Sequence, residues 1–171
     1  MTSISALNNV HKPGLYGNHE NKKDKNLIKV SEIKNLLIIQ IVQYKSSTII
    51  LDNVEADKLK FKNEPLIVVN NDDTRILWNG PKNWLLVSTK KDLIKNLVDK
   101  FKDTDFAVTD LSHSRAIIEI EGNNTIEVLK KGCPFNFNKL DKNNSINSTY
   151  NGIAFTVDRL SDNPNKVRIF V

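Results

Sequence analysis

Residues 74–89 read TRILWNGPKNWLLVST. Two apolar runs flank Asn79-Gly80-Pro81-Lys82-Asn83, where glycine and proline supply the geometry of a reversal. The stretch predicts a β-hairpin with Trp78 and Trp84 beside its turn. Packed inward, two tryptophans bury a large area; left outside, they mark a partner surface.

Toward the N-terminus, LLIIQIVQY (36–44) is a β-rich apolar run of strand length. EPLIVVNNDD (64–73) reads as another strand closed by a polar turn. Between them, SSTIILDNVEADKLKF (46–61) suggests a short helix from its serine start and later acids, although Thr48-Ile49-Ile50 are β-branched. Residues 1–26 have no hydrophobic period and predict a poorly ordered arm, with Leu15 and Tyr16 able to anchor on a surface.

Toward the C-terminus, KKDLIKNLVDKFK (90–102) is the best helix of the chain. Thr89 can cap it with Asp92 three residues on, and Leu93, Ile94, Leu97, Val98 and Phe101 form one apolar stripe. DFAVTDL (105–111) and SRAIIEIEG (114–122) read as strands. In the second, Ala116, Ile118 and Ile120 face one way and Glu119 and Glu121 the other. Asn124–Lys131 is a short helix that Asn124 can cap and Gly132 and Pro134 stop. KLDKNNSINST (139–149) is a polar loop. GIAFTVDRL (152–160) and KVRIFV (166–171) are alternating strands joined by a turn at 161–165.

This order predicts an α+β fold, with mainly antiparallel sheet and helices on one face. Residues 27–171 form one domain in this reading, with two weakly duplicated halves at 27–104 and 105–171.

The chain of 171 residues carries a formal charge of +5, from 21 Lys and 4 Arg against 20 acids. Lysines are interspersed with acids, without the arginines and interleaved aromatics of a nucleic-acid surface. No apolar run approaches the ~20 residues of a membrane span, and no secretion signal opens the chain, which predicts a cytoplasmic protein. One cysteine excludes a disulfide framework within the chain.

Catalytic signatures are sparse. Six glycines, at 14, 17, 80, 122, 132 and 152, cannot make a dinucleotide fingerprint or a phosphate loop. His11, His19 and His113 lack the spacing of a zinc site. Asp110, Ser112 and His113 are triad residue types, but such near neighbours point in different directions. Cys133 is either a reactive thiol or a packing residue beyond a helix. Asp110 and Arg115, five apart, fit either an ion pair or contacts with a partner chain. The sequons at Asn123, Asn143 and Asn147 fall in an Asn-rich chain without an export signal. No catalytic or metal-binding residue is predicted.

Three stretches together resemble one family: ILWNGPKNWLLVS (76–88), VTDLSHSRAIIEIEGNNTIEVLKKGCPFNF (108–137) and STYNGIAFTVDRL (148–160). Trp78, Gly80-Pro81 and Trp84, then Asp110, Ser112, Ser114 and Arg115, then Lys131-Gly132-Cys133-Pro134, are similar to the γ subunit of bacterial heterotetrameric sarcosine oxidase. The resemblance runs over about residues 27–171. It departs from the family at 46–61, which is shorter and more β-branched, and at Val171, where the family runs on into a helix.

The resemblance implies a fold like the folate-binding domain of glycine-cleavage aminomethyltransferases. It also implies an accessory, non-catalytic role beside α, β and δ subunits, with no nucleic acid or membrane partner. The assembly would oxidise sarcosine to glycine, transfer the one-carbon unit to tetrahydrofolate and release hydrogen peroxide. FAD, FMN, NAD and tetrahydrofolate would sit in the other subunits, and none on this chain. Candidate contacts to those subunits are Trp78, Trp84, Asp110, His113 and Arg115. The alternative is a stand-alone folate-binding module, for which Asp110 is the candidate carboxylate.

Overall fold

The computed structural model describes residues 5–17 and 27–171. In chain order the first strands are β1 (Gly14–Tyr16), β2 (Ile28–Glu32), β3 (Leu37–Gln43), β4 (Glu55–Ala56), β5 (Leu59–Lys60), β6 (Val68–Asn70), β7 (Thr74–Gly80) and β8 (Asn83–Ser88). Helix α1 (Leu93–Lys100), β9 (Phe106–Asp110), β10 (Ile117–Glu121) and α2 (Thr125–Lys130) follow, and then β11 (Ser145–Tyr150), β12 (Ile153–Asp162) and β13 (Asn165–Phe170). The chain divides into two compact units. One holds residues 35–114 and 143–146. The other holds 115–142, 147–171 and the described residues up to Lys34.

The first unit is built around the expected hairpin. β7 and β8 pair antiparallel from Thr74↔Ser88 to Trp78↔Trp84, with an irregularity between Trp78 and Gly80. The turn is tighter than the predicted five residues, because Asn79, Gly80 and Asn83 join the strands and only Pro81 and Lys82 remain outside. Gly80 (φ 153°) and Lys82 (φ 56°) take the positive angles this requires. The Asn63 side chain accepts the Lys82 N–H at 2.9 Å, and Lys82 O accepts the Gln43 N–H at 2.9 Å, so both flanks hold the turn.

The sheet order is β6-β7-β8-β3-β9. β3 lies between β8 and β9, and six of its seven residues are apolar or buried because both of its edges and its core face are occupied. On one face, Leu37, Ile39, Ile41, Ile76, Trp84 and Leu86 pack with Phe61, Leu93, Leu97, Phe101 and Phe106. Phe61 meets Trp84 edge-on with ring centres 5.2 Å apart, and Phe101 meets Phe106 at 4.9 Å.

Residues 46–61 correct the expectation of a helix. They form a 3-10 turn at Leu51–Asn53 and the small hairpin β4–β5. Thr48-Ile49-Ile50 disfavour a helix, and Asp57 (φ 48°) and Lys58 (φ 65°) make a left-handed two-residue turn instead. The Asp57 carboxylate accepts the Thr74 hydroxyl at 2.6 Å and the Lys90 ammonium at 2.9 Å, which ties this hairpin to β7.

Helix α1 starts later than the pattern suggests. Asp92 occupies its cap without a side-chain bond, and the Thr89 hydroxyl goes to Asp73 at 3.1 Å. Leu93 and Leu97 are buried, but Val98 remains 56% exposed, so the stripe is wider than the surface it covers.

The second unit carries the order β1-β2-β10-β13-β12-β11. Within the stretch read as a poorly ordered arm, Gly14, Leu15 and Tyr16 form β1 and pair with Val30, Lys29 and Ile28, which corrects that reading for these residues. The Ser5 hydroxyl donates to Glu32. Residues 1–4 and 18–26, including His19, lie outside the described residues. The polar stretch 139–149 is also corrected, because Ser145–Tyr150 form β11. Ser145 and Ile146 are buried there, and the Ser145 N–H donates to Leu66 O at 2.7 Å.

The two sheets share a strand order. A first strand (β3 or β10) lies beside the last strand of the following hairpin (β8 or β13), and a strand from outside that run (β9 or β2) covers its other edge. The division into units therefore does not fall between residues 104 and 105: β2 joins the strands that follow β9 in sequence.

Candidate interface

The hairpin places its two tryptophans differently. Trp84 is 1% exposed and its indole N–H donates to Lys62 O at 2.7 Å, so it is a satisfied core residue and not an open contact. This corrects its assignment to a partner surface: β8 is central, and Phe61 and the α1 side chains cover it. Trp78 is only partly buried, and its indole N–H reaches Asn63 Oδ1 at 3.3 Å.

Asp110, His113 and Arg115 are all exposed. Asp110 ends β9, and its carboxylate accepts the Ser112 N–H at 2.8 Å. Ser112 Oγ accepts the Ile38 N–H at 2.9 Å, so the turn is pinned to the neighbouring strand. Partial burial works to raise the Asp110 carboxyl, but the Ser112 hydroxyl and N–H outweigh it, with His113 and Lys91 adding to the effect. The net pKa lies below the usual carboxylate value. This stabilises an ionised turn. Arg115 opens the other compact unit.

A groove of about 350 Å³ runs beside that strand, lined by Val98, Phe101, Lys102, Asp103, Phe106 and Val108. It meets a second depression of about 420 Å³ on α1, lined by Ile94, Lys95, Val98 and Asp99. Asp110 lines neither. The sequence reading missed this surface. Its only signal was the excess width of the α1 stripe, which a helix-by-helix reading assigns to the core.

In the second unit the sequence also missed a charged sheet face. Glu119 binds the Lys166 ammonium at 2.8 Å and the Arg168 guanidinium at 3.0 Å, and Glu121 meets Lys166 at 3.2 Å. Asp158, fully buried, lies opposite Arg168 in the ladder. Glu119 and Glu121 do share a face, but that face is largely withdrawn from water. Burial pushes the Glu119 carboxyl up, and the two cations more than offset it, leaving its pKa below 4.5. Glu119 holds the Lys166 pKa above its usual value. The signal was present in KVRIFV, which puts Lys166 and Arg168 on the face that meets two glutamates.

Cys133 is buried and its thiol donates to Ser148 Oγ at 3.3 Å. It follows α2, where Gly132 lies against Tyr150. Among the described residues, no group of three His, Cys, Asp or Glu side chains is arranged to hold a metal, and no helix is long and apolar enough to cross a membrane.

Neither protein-family models nor curated proteins give a match to this chain. Solved structures do. The chain is similar to a chain of heterotetrameric sarcosine oxidase from Corynebacterium sp. U-96, with a TM-score of 0.76 and 22% identity over 86% of this chain and 76% of that one. It is also similar to the glycine cleavage system aminomethyltransferase T from Bartonella henselae, with a TM-score of 0.53 and 11% identity over 83% of this chain and 41% of that one. The likeness establishes the fold: mostly antiparallel sheets with few helices, of the kind these two proteins share.

Proposed function

We propose that this chain is a non-catalytic accessory subunit of a multi-subunit sarcosine oxidase. In that assembly, flavin, NAD and tetrahydrofolate belong to the other subunits. The observation that carries the reading is the likeness to a chain of a heterotetrameric sarcosine oxidase over most of both chains. The residue chemistry is compatible with it. Buried Asp158 and half-buried Glu119 belong to a structural ladder, and Asp110, Ser112 and His113 lie in an open turn.

An accessory subunit contributes through buried area. An obligate interface of more than about 2,000 Å² stabilises both sides and leaves each poorly behaved alone. Exposed Asp110, His113 and Arg115 and the partly buried Trp78 are the candidates for such contacts.

Affinity purification of the tagged chain from its native host, followed by size exclusion, tests the proposal. Co-elution with flavin-containing chains at constant stoichiometry is the expected result. Elution of the chain alone at micromolar concentration contradicts it.

A stand-alone folate-binding module is the second reading, favoured by the likeness to aminomethyltransferase T. Titration with tetrahydrofolate separates the two. A saturable change in tryptophan fluorescence supports the module, and its absence removes it.

A further inference from the structure

We draw no further inference here: the strongest candidate, the surface patch formed by the outer edge of β9 and the exposed Val98 flank of α1, carries none, because Lys95, Asp99, Lys102 and Asp103 around it favour neither sign of partner and nothing in the structure shows what covers it.

Discussion

Glu119 shows how one residue can hold a face together. Its folded pKa is depressed, so its contribution is fully present above the ordinary 4.5 and is lost as pH falls through the folded value. Glu119→Gln leaves Arg168 and Lys166 with a neutral partner. Stability at pH 7 should fall by about 1–3 kcal/mol, and the acid side of the stability profile, below about pH 5, should flatten. Urea unfolding at several pH values reads both. Gly122 is a second such point. Its φ is 143°, and an added Cβ would lie 2.6 Å from Leu27 O. Gly122→Ala should cost about 2 kcal/mol by displacing that backbone. A melting temperature within a degree of wild type contradicts this.

Among the elements, the β4–β5 hairpin makes the most specific demand on sequence. Asp57 and Lys58 both take positive φ, where a two-residue turn favours Asn-Gly or Asp-Gly. Lys58→Gly should therefore stabilise the chain by about 1 kcal/mol, visible as a raised melting temperature. A lowered one would show that the lysine stem packs usefully. The hairpin at 74–89 was legible because its turn chemistry is local and its strands are flanked by apolar runs. The helix assigned to 46–61 was wrong for the complementary reason: its polar positions fit either a cap or a turn, and only the network of Asp57, Thr74 and Lys90 decides for the turn. The same limit hid β11. SINSTY carries one aliphatic residue, and its strand character comes from pairing in the sheet.

At the scale of the whole molecule, α+β architecture with antiparallel sheets was readable from alternating runs and turn residues. The composition of the two units was not. β2 pairs with β10, far along the chain, and β9 with β3 across the intervening strands and α1, and no local pattern encodes those pairings. The candidate site followed the same division. Asp110, His113 and Arg115 are exposed at and between the ends of the strands read at 105–111 and 114–122, whereas Trp84 is claimed by the core. The α1–β9 groove needed three dimensions, because Val98 and Val108 are brought together by packing.

The accessory-subunit account is tested most directly by preparing the sarcosine-oxidising assembly with and without this chain, and measuring sarcosine-dependent hydrogen peroxide release and particle mass. The account predicts that omission yields smaller, unstable particles with lost turnover, and that adding the folded chain restores both. Full turnover in an intact particle lacking the chain would contradict it.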